Sequence, residues 1–148
     1  MKIKEVNLPD LKAIFELERK IFKENAFSKE TMRRMIEDNE FFLKIEFGKI
    51  KKSIAGFVIV IKDRKDRANI INFLINPKYQ NQGIGTLLLS KTIEEIKIIE
   101  DVKNIILNVN VNNQNAIKLY KNHQFKITKE IDNYYNSGES SFFMELNI

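Results

Sequence analysis

The chain has 148 residues, 43% of them hydrophobic and 30% charged, and contains no cysteine. This length fits one domain with a core of its own, the composition argues against disorder, and the lack of cysteine excludes disulfides, thiolate metal sites and a cysteine acyl-enzyme. The net charge of +5 is sprinkled along a lysine-rich chain, which favours a solvated surface over a nucleic-acid-binding one, although some positive potential would help to attract an anionic cofactor.

Met1–Val6 alternates imperfectly and reads as a short first strand. Pro9-Asp10 opens a helix whose apolar face is Leu11, Ile14, Phe15, Leu17 (or Glu18) and Ile21. The pattern breaks at Phe22–Phe27, and Ser28 is a candidate N-cap for a second helix through Met32, Met35 and Ile36. Phe41–Phe47 reads as a strand, Gly48-Lys49 as its turn, and Ser53–Ile61 as a more apolar strand suited to a central position. The basic clusters Lys49–Lys52 and Asp63–Arg67 fall in hairpin turns. Asn69–Ile75 is the strand entering a glycine-bearing turn, and the helix beyond it runs to about Ile99. Ile105–Val109 is a short strand, and Gln114–His123 a helix with Ala116, Ile117, Leu119 and Tyr120 on one face. Phe125–Ile131 and Ser141–Leu146 close the chain as strands, with Asn133–Gly138 between them.

No repeat, linker or boundary interrupts this series, so one domain over residues 1–148 is expected. The order of elements predicts a three-layer α/β sandwich, a mixed and mostly antiparallel sheet of about six to seven strands with helices on both faces. No apolar run approaches the roughly 20 residues of a membrane span. The N-terminus shows no signal-peptide series, and a cytoplasmic location is expected.

The turn at Pro77–Thr86 organises the chain. Strand, glycine turn and helix aim several backbone N–H groups and the positive end of a helix at one point. Gly83 and Gly85 let a ligand come close to the backbone where a Cβ would obstruct it, and a phosphate or pyrophosphate is the natural guest. On these residues alone a tight turn without a ligand fits equally. The spacing excludes a dinucleotide fingerprint, because Leu88 takes the third glycine position, and no Gly-Lys-Ser/Thr of a P-loop is present.

Asn113-x-x-Ala116-Ile117-x-Leu119-Tyr120, followed by Phe125, lies about 30 residues downstream. Together with Gln80-Asn81-Gln82-Gly83-Ile84-Gly85 it resembles the two cofactor motifs of the GNAT superfamily of acyl-CoA-dependent N-acetyltransferases. The resemblance covers Asn69–Phe125 and implies acetyl-CoA as co-substrate, no metal, and two strands that splay apart around the CoA. It implies that backbone N–H groups of Gln82 to Thr86 hold the pyrophosphate, in a loop formed by Gln80, Asn81, Gln82, Gly83, Ile84, Gly85 and Thr86, with the Thr86 hydroxyl adding a contact. Phe73, Leu74 and Ile75 run beside the pantetheine arm, with Phe73 and Ile75 pairing through their backbones. Asn113 contacts that arm, caps its helix, or does both. Tyr120 matches the tyrosine that protonates the leaving thiolate and also counts among the cofactor contacts.

The general base is less legible. The polar positions on the two splayed strands are Asn69, Asn72 and Asn108, and amides cannot accept the proton; Asn72 and Asn108 therefore become acceptor-site candidates. Glu18 and Glu24 are left as candidate bases, acting directly or through water, and each also reads as a solvated surface carboxylate. His123, the one histidine, reads as a helix C-terminal residue near the dipole. Gln124 stands where the family pattern has glycine, so it needs a different cap or tolerates strain.

Leu17-Glu18-Arg19-Lys20-Ile21-Phe22 resembles the first helix of ribosomal-protein alanine acetyltransferases and of archaeal or eukaryotic catalytic subunits. Asp132–Met144 resembles their final hairpin, which makes Tyr134 and Tyr135 candidate acceptor contacts. The Pro-Trp or Tyr-Pro of their first loop is absent, and Asn25-Ala26-Phe27-Ser28 stands there. The expected function is acetyl-CoA-dependent acetylation of a protein N-terminal α-amine, by a monomer or homodimer. The alternatives are acetylation of a polyamine or amino sugar, and a catalytically silent acyl-CoA-binding domain.

Overall fold

Apolar residues at period two in the strands and near 3.6 in the helices bury one another on both faces of one sheet. The computed structural model describes residues 1–148. The strands are β1 (Lys2–Glu5), β2 (Phe41–Phe47), β3 (Ser53–Arg64), β4 (Arg67–Ile75), β5 (Asn104–Asn110), β6 (Lys126–Ile131) and β7 (Ser141–Asn147). The helices are α1 (Leu11–Phe22), α2 (Lys29–Glu37), α3 (Ile84–Lys97) and α4 (Gln114–Asn122). The sheet order is β1-β2-β3-β4-β5-β7-β6, and the β4–β5 pair alone is parallel. The expected architecture is therefore observed.

β4, rather than β3, is the middle strand; β3 lies between it and β2 and has its buried run at Ala55–Val60. β3 extends three residues past Ile61, because the chain reverses tightly over Lys65-Asp66 and the Arg67 guanidinium holds the Asp63 carboxylate with two 2.9 Å bonds.

α3 and α4 cover one face, where Val58, Val60, Ala68, Ile70, Leu88, Ile96, Leu107 and Ile117 form the larger core. α1 and α2 cover the other, with Ile14, Met32, Phe42, Phe57, Ile59 and Leu74. Each of these side chains but Ala68, fully buried, contributes roughly 1.5–3 kcal/mol from removing apolar surface from water. The start of α1 is held by the Asp10 carboxylate, which accepts from the Asn7 N–H at 2.9 Å. Ser28 caps α2 as expected, its Oγ accepting from the Thr31 N–H at 3.1 Å.

An irregularity in β4 shapes everything that follows. Ile59 pairs with Asn72 but Val60 pairs with Ile70, so Ile71 is an extra residue opposite that step. Such a bulge reverses the alternation of side chains and bends the strand. Ala68 and Ile70 accordingly face α3 and α4, whereas Leu74 packs with α1 and α2. The β4–β5 pairing ends at the same point, with Ile70 opposite Leu107, while β4 continues to Ile75 and β5 to Asn110. The two strands splay there.

Gln124 has φ +72°, the left-handed backbone that a glycine adopts without strain. Its neighbour His123 bridges α4 to α3, Nδ1 lying 2.9 Å from the Leu119 carbonyl oxygen and Nε2 3.1 Å from Ser90 Oγ. No helix is long and apolar enough to cross a membrane, and no group of three or more His, Cys, Asp or Glu could hold a metal ion.

Candidate active site

The glycine turn is pinned by its flanks. Ile84 is buried against Ile45 and Ala55, Tyr79 stacks on Phe47 with centroids 5.1 Å apart, and Gln80 Nε2 donates to the Ile75 carbonyl at 3.2 Å. Gly83, with φ +78°, starts α3, and its carbonyl accepts from the Leu87 N–H at 3.0 Å. The N–H groups of Ile84, Gly85 and Thr86 precede that bond and have no partner within the helix. They lie at the positive end of a 14-residue helix.

The two glycines serve different ends. A Cβ on Gly83 would meet nothing within 4 Å, so there the requirement is backbone conformation and an open approach for a ligand. A Cβ on Gly85 would lie 3.3 Å from Leu119 Cδ2 and 3.6 Å from Ile75 Cγ1. Gly85 is thus also a packing glycine, letting α3 begin close to β4 and α4.

A cavity of about 340 Å³ lies beside this turn, lined by Phe73, Leu74, Ile75, Gln80, Asn81, Gly83, Gly85, Thr86 and Asn113 among others. These are nine of the positions expected to meet the cofactor. Gln82 and Ile84 do not line it: Ile84 is turned into the core, and any role there is left to its backbone. Lys118 and Asn122 of α4 also line it, and nothing in the motif spacing marks them. Asn113 caps α4, its Oδ1 accepting from the Ala116 N–H at 3.2 Å, and faces the cavity as well.

A second cavity, of about 440 Å³, opens on the other side of the splay. Phe22, Phe73 and Asn113 line both cavities and mark where they meet. Glu18, Asn72, Asn108, Tyr120, Tyr134 and Tyr135 all line the second one. Asn69 is there too, at the mouth of the pairing region.

Glu18 is the unusual group. It sits on the apolar face of α1 and is 1% exposed. Its Oε1 accepts from Asn72 Nδ2 and its Oε2 from the Phe27 N–H at 3.2 Å. Burial raises its pKa to about 7, and the two hydrogen bonds hold it below what burial alone would give. Glu24 does not join it: that side chain is exposed and outside both cavities, and its carbonyl instead accepts from Asn136 Nδ2 at 3.1 Å. Of the two carboxylates named from sequence, only Glu18 reaches the splay.

Tyr120 packs edge-on against Phe73 and Phe125, both with centroids 5.9 Å away. It lines the second cavity rather than the first, next to the shared Phe73. Burial, and after it the neighbouring Tyr135 phenol, push its pKa well above the ordinary phenol value. Every enclosed polar side-chain atom has a partner, so the Tyr120 hydroxyl, bonded to no protein group, faces the cavity. Asn108 Oδ1 accepts from Ser141 Oγ at 3.0 Å, which fixes that amide against β7. Tyr134 and Tyr135 form an edge-on pair, with centroids 4.9 Å apart, in the β6–β7 loop. That loop is tied to the α1–α2 loop by Asn25, a residue that sequence reading passed over as a mere departure from pattern. His123 lies outside both cavities.

The parallel pair β4–β5 thus splits with a glycine-started helix on one side and a phenol and a carboxylate on the other. Residues 11–125 match the acetyltransferase (GNAT) family, and the chain belongs to that family. An N-alpha-acetyltransferase of Sulfurisphaera tokodaii is 32% identical over 78 residues, 53% of this chain and 47% of that protein. The match thus spans about half the length of that curated relative. The ribosomal-protein-S18-alanine N-acetyltransferase of Escherichia coli has a solved structure with a TM-score of 0.80 and 28% identity, covering 99% of this chain and 93% of that one. An Arabidopsis thaliana NAA60 in complex with acetyl-CoA superposes with a TM-score of 0.86 over 99% of both chains; at 17% identity this shows the shared fold.

Proposed function

We propose that the protein transfers the acetyl group of acetyl-CoA to an N-terminal α-amine of a protein. The observation that carries this reading is the meeting of two chemically different cavities at Phe22, Phe73 and Asn113. One offers unpaired backbone N–H groups at a helix start, which suits a pyrophosphate. The other presents a buried carboxylate and a phenol to whatever enters it, which suits an amine. The similarity to enzymes named for α-amine and ribosomal-protein alanine acetylation supports the acceptor class.

The acceptor cavity argues for a peptide over a polyamine. Glu18 is its one Asp or Glu. A polyamine brings several ammonium groups and needs a carboxylate for each that is buried. The remaining wall joins apolar and aromatic side chains, among them Phe22, Phe27, Met35, Tyr134 and Tyr135, to neutral amides such as Asn108 and Asn110, and this uncharged lining suits a peptide N-terminus with an uncharged first side chain.

Acetyl-CoA supplies a thioester carbonyl open to attack and a thiolate as leaving group. Glu18 accepts a proton from the incoming amine. Its pKa of about 7 lies within about one unit of a peptide α-amine at about 7.7–8.0, the matching that efficient general-base catalysis requires. Tyr120, kept protonated by burial, donates its proton toward the sulfur as negative charge develops there. One proton leaves nitrogen and one arrives on sulfur, and Glu18 and Tyr120 return to their starting states by exchange with solvent.

The test is release of free thiol from acetyl-CoA with unblocked peptides, the same peptides N-terminally blocked, spermidine and glucosamine. Turnover with unblocked peptides that is lost on blocking is the expected result. Turnover with spermidine or glucosamine in place of peptides contradicts the acceptor assignment, and binding of acetyl-CoA with no turnover on any amine contradicts the enzymatic one.

A further inference from the structure

In a regular strand Asn72 would share a face with Ala68 and Ile70 and point into the apolar core under α3 and α4. The extra residue Ile71 prevents that. Past the bulge the buried Asn72 turns to the side of α1, and its amide reaches a carboxylate on that helix's buried face. The bulge sits where β4 parts from β5, so one irregularity both opens the splay and places the amide.

We infer that Asn72 is a positioning residue for the reaction: through the β4 bulge it holds the Glu18 carboxylate, oriented and ionised, at the acceptor cavity. This rests on the reading of Glu18 as the base. Asn72 also lines the acceptor cavity, and the bond to Glu18 uses one of its two amide N–H groups. The chemistry favours an amide at this point. A lysine or arginine would hold Glu18 so firmly ionised that it made a poor base, and a second carboxylate would drive it to the protonated form. A neutral donor stabilises the carboxylate moderately, against the cost of burial, and the Phe27 N–H on the other oxygen does the same. The other titratable groups facing this cavity are the phenols of Tyr120, from α4, and of Tyr134 and Tyr135, from the β6–β7 loop. α2, β4 and β5 bring no Asp, Glu, Lys, Arg or His to it.

The experiment compares the pH dependence of kcat, with peptide and acetyl-CoA saturating, in the wild type and in Asn72→Leu. Removing the donor weakens the ionised form of Glu18, so the acid limb of the profile moves to higher pH by about one unit. The variant then approaches the wild-type rate most closely in alkaline solution. A limb that stays in place, with the rate reduced by one factor at every pH, assigns Asn72 a structural role alone and overturns the inference. Carboxyl-carbon NMR titration of Glu18 in the same pair reads the shift without turnover, and Asn72→Ser carries the same prediction should leucine prevent folding. Glu18→Gln separates the two claims. Wild-type turnover in that variant removes the base and this inference with it, whereas an inactive Glu18→Gln beside an unmoved limb removes this inference alone.

Discussion

Asn25 and Ser137, 112 positions apart in sequence, hold each other by two hydrogen bonds: Asn25 Nδ2 donates to Ser137 Oγ at 3.1 Å, and Asn25 Oδ1 accepts from the Ser137 N–H at 3.0 Å. They fasten the α1–α2 loop, which carries Phe27, to the β6–β7 loop, which carries Tyr134 and Tyr135. Glu139 extends the tie, accepting from Ser137 Oγ and from Asn112 Nδ2, both at 2.9 Å. Asn25→Ala should therefore loosen the lip over the acceptor cavity. The expected outcome is a rise in KM for peptide with little change in KM for acetyl-CoA, and a loss of about 1–2 kcal/mol of stability from two partly buried hydrogen bonds. Steady-state kinetics and thermal unfolding check both.

Glu18 makes stability depend on pH with a definite sign. Its pKa is about 7 in the folded protein against 4.5 for an unperturbed glutamate. Between those values the folded state binds more protons than the unfolded state, so stability falls as pH rises from about 5 to about 8. The full difference is on the order of 3 kcal/mol. In Glu18→Gln that dependence disappears. Denaturant unfolding at pH 5 and pH 8 should show the wild type losing stability relative to the variant across this range, while turnover at pH 8 falls by about 10²-fold or more. A difference between the two proteins that is constant with pH contradicts the burial argument.

Tyr120→Phe removes one hydroxyl and keeps the edge-on packing against Phe73 and Phe125. No protein hydrogen bond is lost, so the melting temperature should hold within about 2 °C, the shift expected of a few tenths of a kcal/mol. The rate constant kcat should fall by about 10²-fold, the usual contribution of a positioned proton donor, with KM for acetyl-CoA largely retained.

Gln124→Gly should stabilise the protein. The position is exposed with φ +72°, and left-handed backbone costs a side-chain-bearing residue roughly 1–2 kcal/mol that glycine does not bear, offset in part by the greater freedom of glycine when unfolded. A gain of about 0.5–1 kcal/mol in denaturant unfolding, with unchanged kinetics, is expected.

Much of this was legible in the sequence because local chemistry decides it. Ser28 and Asn113 announce their helices as side-chain caps, Gly83 requires the left-handed turn that starts α3, and alternating apolar residues place β2 and β5 to within a residue. Gln124 could be flagged from the pattern, and the backbone it adopts is the glycine-like one. Two features were hidden for physical reasons. The bulge at Ile71 depends on register against β3, a long-range property that no alternation within β4 reveals, and the Asn72–Glu18 bond that it allows was hidden with it. The choice between Glu18 and Glu24 depends on where α1 ends and which way it faces: Glu18 is turned inward from that helix, Glu24 lies beyond its end and exposed, and a carboxylate on an apolar face contradicts the burial preference by which sequence is read. Asn25 was invisible because its partner, Ser137, comes 112 residues later.

The central claim is that an N-terminal amine, rather than a lysine or a small polyamine, enters the cavity of Glu18 and Tyr120. The most direct measurement is tandem mass spectrometry of one peptide that carries a free α-amine and an internal lysine, after incubation with the protein and acetyl-CoA, with spermidine present as competitor. The account predicts one acetyl group, on the α-amine, and unmodified spermidine. Acetyl on the lysine side chain or on spermidine, with the α-amine free, would contradict it.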